Sequence, residues 1–324
     1  MKRWVWSLFI LALLSALPLV VETQFYLHIF ILTFLYASFA NSWNLIGGYA
    51  GQLSLGHAAF FGIGAYACAI GSVKFGISPF IGLAIGVIIA VLVSAAIGYP
   101  CFRLRGPFYT LSTIAFAEVV RLLTLYWRDL TEGAVGILIP FKPGVANLIF
   151  SGKVPYYYIG LAMMALSTFL CYHVERSRFG YYLVAVREDE DAAEACGIRS
   201  ARYKLYAAMI SAAIAAVCGV FYVQYMLFID PEGVFNLNVS IQAALMAIIG
   251  GAGTWLGPVI GAALLIPLGE FLRGWLGGAA RGLHMAFYGI VLIVVVMVIP
   301  QGIVVTVKNL LKTKATRKVE EERR

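Results

Sequence analysis

The stretch Arg187-Glu188-Asp189-Glu190-Asp191-Ala192-Ala193-Glu194-Ala195-Cys196-Gly197-Ile198 is a polar island in an oily chain. Apolar runs flank it, roughly 156–174 before and 205–228 after, each of a length that crosses a bilayer. Read as a loop helix between two spans, the island decides the fold. Its five acids, three alanines and closing glycine predict a short helix. The acids crowd the first turns, where the helix dipole favours negative charge. Gly197 is placed for a left-handed cap. Ala192, Ala195 and Cys196 fall on one face at spacings of three and four, a small, smooth surface suited to another protein's groove. The plainer alternative is a solvated loop helix.

Composition points the same way. The 324 residues are 61% hydrophobic and 12% charged, whereas a soluble domain is nearer half apolar and a quarter charged. The apolar excess comes in runs of about 17 to 25 residues, which predicts an all-α polytopic membrane protein. Further runs lie at roughly 4–21, 25–46, 56–73, 77–99, 108–126 and 284–306. The run 238–270 is broken by Gly250-Gly251-Ala252-Gly253-Thr254-Trp255-Leu256-Gly257-Pro258, and reads either as two helices or as a hairpin of half-helices. The bundle therefore has about eight to ten segments. The start, Lys2-Arg3 and then 4–21, has the charge pattern of a signal peptide. Ser15-Ala16-Leu17-Pro18 is a poor cleavage site, however, and another span follows at once, which favours a retained helix.

Lys and Arg in short loops set the orientation. With Lys2 and Arg3 inside, alternation places Arg103 and Arg105 inside, then Arg176, Arg178, Arg187, Arg199, Arg202 and Lys204, then the tail with Lys308, Lys312, Lys314, Arg317 and Lys318. The polar island is thus expected to be cytoplasmic, as are both termini. The domain reading is one transmembrane unit over 1–306, including the loop 175–204, and a basic tail over 307–324. The net charge of +8 fits positive-inside bias better than nucleic-acid binding.

Chemistry is sparse. No G-x-x-x-x-G-K-[ST] occurs; Gly152-Lys153 is followed by Val154. No H-E-x-x-H, G-x-S-x-G or C-x-x-C occurs either, and the five cysteines show no metal spacing. Neither a catalytic residue, a metal ligand nor a cofactor site is nominated, so the chain is not read as an enzyme. Two glycine-broken segments, Gly47-Gly48-Tyr49-Ala50-Gly51 and Gly250-Gly251-Ala252-Gly253, lie one in each half. Paired interruptions suggest a pseudo-repeat with irregular backbone near a pathway. Glu118 and Arg121 sit near mid-depth in the run 108–126, where charge is costly and marks function by default. The preferred reading is structural, a self-neutralising pair with Arg121 reaching the outer interface. His57 is read as a gate residue or, preferably, as bonded to carbonyls freed by the glycine break. Candidates for the pathway are Gln52, Ser54, His57, Thr113 and Glu118. Gly82 and Gly86 form a G-x-x-x-G, weak support for a subunit interface. Asp230-Pro231-Glu232-Gly233 reads as an acidic outer turn.

Taken together, Asn44-Leu45-Ile46-Gly47-Gly48-Tyr49-Ala50-Gly51-Gln52-Leu53-Ser54-Leu55-Gly56-His57-Ala58-Ala59-Phe60 resembles the signature of bacterial branched-chain amino acid ABC transporter permeases, and is most similar to their LivM-type subunit. Arg176-Ser177-Arg178-Phe179-Gly180, the island itself, 250–258 and Pro300-Gln301-Gly302-Ile303 agree, so the resemblance covers roughly 25–305. It implies an importer of the inner membrane. In it, this chain pairs with a second, different permease, two cytoplasmic ATPases handle ATP, and a periplasmic binding protein delivers substrate. The family's coupling helix maps onto 187–198, with Arg187, Glu188, Asp189, Ala192, Glu194 and Gly197 as its contact residues. One departure stands out. The family often reads T-G-G-[ST]-[ND]-G-[IL] after the Glu118 helix, and here the residues are Thr131-Glu132-Gly133-Ala134-Val135-Gly136-Ile137. That leaves the substrate open between branched-chain amino acids and urea or amides. The alternatives to an ABC permease are an ion-driven secondary transporter using Glu118, which the shortage of other intramembrane acids disfavours, and a membrane scaffold, which the glycine breaks disfavour.

Overall fold

The computed structural model describes residues 12–19, 23–104, 106–276, 289, 297 and 302–308. Lys2, Arg3, most of the run 4–21, Arg105, His284, most of the run 284–306 and the tail past Lys308 lie outside the described residues.

Ten helices carry the described bundle. They are α1 (Gln24–Asn44), α2 (His57–Lys74), α3 (Pro79–Cys101), α4 (Pro107–Tyr126), α5 (Lys153–Arg176), α6 (Arg178–Glu188), α7 (Glu190–Ala195), α8 (Ser200–Met226), α9 (Leu237–Gly251) and α10 (Gly257–Leu276). One-turn helices at Arg128–Thr131 and Pro231–Phe235 punctuate the loops. Sheet among the described residues is one antiparallel pair, β1 (Ile137–Leu138) with β2 (Phe228–Ile229), which ties the loop after α4 to the end of α8.

Seven helical segments are long and apolar enough to span a membrane. The chain is an all-α polytopic membrane protein. The broken run resolves as two spans, Pro231–Gly251 and Gly257–Gly274, and not as half-helices. α2, 18 residues long, is packed chiefly between α8 and α3.

α1 is the axis of the bundle. From Ile31 to Asn44 every residue but Tyr36 is buried, so this stretch has no solvent face, and α5, α10, α8 and α9 surround it. Phe39, Trp43, Tyr49, Phe61 and Tyr157 are almost fully enclosed. α3 turns small residues inward: Gly82, Gly86, Ala90, Ser94 and Gly98 are buried at a spacing of four. A Cβ at Gly82 would stand 3.0 Å from Cys68 Cα, and one at Gly86 would stand 3.2 Å from Gly64 Cα. The G-x-x-x-G therefore closes an intramolecular contact with α2, the close backbone approach that small residues permit, and not a subunit interface.

Candidate coupling junction

The polar island folds with one change from the single helix expected of it. Glu188 ends α6, Asp189 is extended (φ −156°, ψ 110°), and α7 starts at Glu190. Asp189 is responsible: its Oδ1 accepts from the Ala192 amide at 3.0 Å, an N-cap that competes with helix continuation. The C-terminus closes as expected. Gly197 has φ +85°, its amide donates to the Glu194 carbonyl at 2.9 Å, and the Ile198 amide donates to the Ala193 carbonyl at 3.0 Å. Those two bonds define a Schellman cap.

The acids of this loop are engaged within the chain. Glu188 Oε1 accepts from Arg187 Nη2 at 2.6 Å, Glu190 Oε2 pairs with Lys204 Nζ at 2.7 Å, and Glu194 accepts from the Ser200 hydroxyl. The Lys204 side chain is only 1% exposed, so this pair fastens α7 to α8 from beneath. Ala193 faces inward while Ala192, Ala195, Cys196 and Gly197 are exposed. The small-residue face predicted for α7 therefore stands open.

Above the loop, the two glycine-broken segments meet. α1 passes into a π turn over Leu45–Tyr49, a distortion often found at functional positions. The chain after it returns beside α1, where Trp43 Nε1 donates to the Ser54 carbonyl at 2.7 Å. A Cβ at Gly48 would collide with Asn44 Oδ1 and the Gly253 amide nitrogen. Only glycine permits that approach. Asn44 bridges the two breaks. Its Oδ1 accepts from Gly253 N at 2.8 Å and its Nδ2 donates to Thr254 O at 3.0 Å.

Two side chains from the loop region reach this crossing. Arg187 Nη1 donates to the Gly48 carbonyl at 2.9 Å and also flanks Gly253. Glu175 Oε2, at the end of α5, accepts from Trp255 N at 3.0 Å and from Tyr49 OH at 3.3 Å. Trp255 packs edge-on against Tyr172, whose ring lies under the Arg176 guanidinium at 4.4 Å. Arg187 was a sequence candidate. Asn44, Glu175, Lys204 and Trp255 were not, although Lys204, with Arg202, is a visible cation in the first turns of an otherwise apolar helix.

The pathway candidates separate into two places. Ser54, His57 and Thr113 line one buried cavity of about 30 Å³, joined by Ser94 and Ser211. That is room for a water. His57 is 2% exposed; its Nε2 lies 2.8 Å from Ser211 Oγ and its Nδ1 3.0 Å from Ser54 Oγ. The Ser211 hydroxyl donates its proton to Ser42 O at 2.6 Å, so it accepts from His57. The network assigns the proton to Nε2 and leaves Nδ1 to accept from Ser54. The Ser42 carbonyl, which also accepts from the Leu45 amide, is met through Ser211, so His57 is held by two serines and not directly by a carbonyl of the glycine break as expected. Thr113 Oγ1 accepts from the Leu55 amide at 3.1 Å. Gln52 is half-buried and does not line that cavity; its backbone amide donates to Ile46 O at 3.0 Å. Glu118 is elsewhere, on the open face of α4, held by Arg121 at 2.5 Å. Arg121 also pairs with Glu232, from the turn read as acidic and external.

A polytopic bundle with a polar loop bonded to two backbone breaks is the architecture of a membrane permease. The chain belongs to the family described as branched-chain amino acid transport system / permease component, which matches residues 25–296. It is 28% identical over 306 residues to the high-affinity branched-chain amino acid transport system permease protein LivM of Escherichia coli, covering 87% of this chain and 71% of that protein. It is 26% identical over 297 residues to the corresponding LivH permease of Salmonella typhimurium, covering 83% and 90%. A probable LivM of Methanocaldococcus jannaschii is 24% identical over 192 residues, covering 57% and 55%. No solved structure gives a significant match.

Proposed function

We propose that this permease is the LivM-type subunit of a binding-protein-dependent ABC importer for branched-chain amino acids. It sits in the inner membrane with both termini and the 307–324 tail cytoplasmic. It forms the translocation pathway with a second permease, receives substrate from a periplasmic binding protein and is driven by two ATPase subunits that handle the nucleotide. One observation carries this reading: the loop 175–204 is bonded through Arg187 and Glu175 to both glycine breaks. A push on α7 by an ATPase reaches Gly48 through Arg187 and Trp255 through the α5 end. Both contacts are to backbone, so the force moves chain and not merely a side chain. The driving force is the ATPase's differential affinity for two positions of the loop. The ion-driven alternative would need Glu118 as a relay, and Glu118 is engaged by Arg121.

The test is purification from detergent-solubilised membranes with mass spectrometry of what accompanies the chain, followed by flux in proteoliposomes. A second permease and a P-loop ATPase at comparable yield, with ATP-dependent leucine uptake, are expected. A lone chain whose transport persists without an ATPase overturns the reading. Reversing Glu188 and Glu194 together would weaken docking if these two acids touch the ATPase. Because Glu194 is bonded to Ser200, Ala195→Arg on the exposed face is the cleaner probe. It should abolish ATPase co-purification with the melting temperature unchanged, and intact co-purification would count against α7 as the docking element.

A further inference from the structure

Among the described spans α3 and α4 are the least buried, each only 22% over its apolar window. Their open faces differ. On α3 the exposed stripe is Ile81, Ile85, Ile88, Leu92 and Tyr99, with no charge along its length. On α4 it is Phe108, Leu111, Ala115, Glu118, Leu122 and Tyr126, and a carboxylate stands in the middle. Glu118 lies about 12 Å of helical rise from Tyr126, well inside the span. Its side chain is 50% exposed and that of Glu232 is 60%, against 20% for the Arg121 between them. Two carboxylates around one guanidinium leave one negative charge in excess on an otherwise apolar stripe.

Lipid is a poor neighbour for that stripe, because an intramembrane charge faces protein or water. A second copy of this chain is a poor neighbour too. A two-fold axis along the membrane normal brings equal depths together, so it would set one negative triad against another. We propose that this face of α4 seats a second, non-identical permease chain, one that presents a cationic or hydrogen-bond-donating side chain at the depth of Glu118. This rests on the two-permease reading above, and assigns the face. The uncharged α3 stripe is left to the lipid.

The test uses the complex in its native membrane. Single cysteines at Ala115 and Leu122, and for comparison at Ile88 and Leu92, are introduced with Cys196→Ser, the other four native cysteines being buried. Nitroxide labels on α3 should collide freely with lipid-dissolved oxygen, and those on α4 several-fold less. A thiol-anchored photo-crosslinker at Ala115→Cys should yield an adduct with a different permease chain. Glu118→Lys should reduce the co-purified second permease about tenfold, a change of about 1.4 kcal/mol, while Glu118→Gln should reduce it less. Equal oxygen access on the two helices overturns the proposal, and so does an adduct of twice this chain's mass or no protein adduct at all. If the lysine variant fails to fold, the glutamine variant and the labels still decide. Co-purification of a second permease and an ATPase together with lipid-exposed α4 labels would sink this face alone and leave the importer reading standing.

Discussion

Asn44 and Gly253, 209 residues apart, share a 2.8 Å hydrogen bond from the glycine amide to the asparagine oxygen. Asn44 is fully buried, and its amide nitrogen satisfies the neighbouring Thr254 carbonyl at the same time. An amide is the side chain that can both accept and donate across such a gap. Asn44→Ala leaves the part-buried Gly253 N–H and Thr254 C=O without that partner, so a loss at the low end of about 1–3 kcal/mol is expected. Thermal unfolding in detergent would measure it; a melting temperature within error of the parent would mean that the two breaks are not held by this residue.

Gly48→Ala is expected to be worse than its size suggests. The added methyl would run into Asn44 and the Gly253 backbone, and backbone does not step aside as a flexible side chain does. Overpacking of this kind costs about 1–3 kcal/mol. Gly76 supplies the control. It has φ +63° but open space around it, so Gly76→Ala should show only the conformational term of about 1 kcal/mol. Equal losses at the two sites would remove steric contact as the cause.

Arg187→Lys separates docking from transmission. Lysine keeps the charge but loses the planar fork that spans Gly48 O and Glu188 together. In the proposed importer the variant should still co-purify with an ATPase that hydrolyses ATP while leucine uptake falls about tenfold, the effect of about 1.4 kcal/mol of lost coupling. Parallel loss of hydrolysis and uptake would place Arg187 in docking instead.

Lys204 and Glu190 call for a double-mutant cycle. Removing Glu190 alone leaves a cation enclosed in α8, and stranding one partner of a buried pair costs about 3–5 kcal/mol. Glu190 is 20% exposed, which puts the expectation at the low end. Glu190→Leu with Lys204→Met should recover most of it. Additive losses in the double variant would mean the two groups act independently.

Glu132 stands where the family often has glycine, and it holds a left-handed backbone, φ 61°. That conformation costs a non-glycine residue roughly 1–2 kcal/mol. Its carboxylate pairs with Lys74 at 2.9 Å, but the pair is substantially exposed and contributes at most about 1 kcal/mol. Glu132→Gly should therefore raise stability slightly, by up to about 1 kcal/mol after the entropy of the unfolded glycine is counted. A clear drop in melting temperature would show that the ion pair outweighs the strain.

These residues also mark what the sequence could and could not tell. Span length, the loop's polarity and the Gly197 cap are local signals, and each appears in the structure where the residues place it. The two glycine breaks were visible as interruptions, but their mutual contact was not. Nothing in the periodicity of 24–44 distinguishes Asn44 from any other polar residue near a helix end, because its partners lie in the other half of the chain. The split at Asp189 is hidden for a different reason. Helix propensity favours one helix over the whole island, whereas an aspartate three residues before Ala192 is a capping signal that outranks it. Glu118 and Arg121 were legible as a pair from their spacing of three. Their third member, Glu232, required the fold.

The loop's acids carry a last consequence. Glu188 and Glu190 are paired with cations inside the chain, whereas Asp189 caps α7 and Glu194 accepts from the neutral Ser200 hydroxyl, so both keep their charge. The open alanine and glycine face of α7 is therefore rimmed by exposed carboxylates, Asp191 and Glu194 among them. A partner seated there is held by fit and dehydration with an ionic contribution at the rim, so raising the salt concentration, which screens surface charge, should loosen the complex without dissolving it.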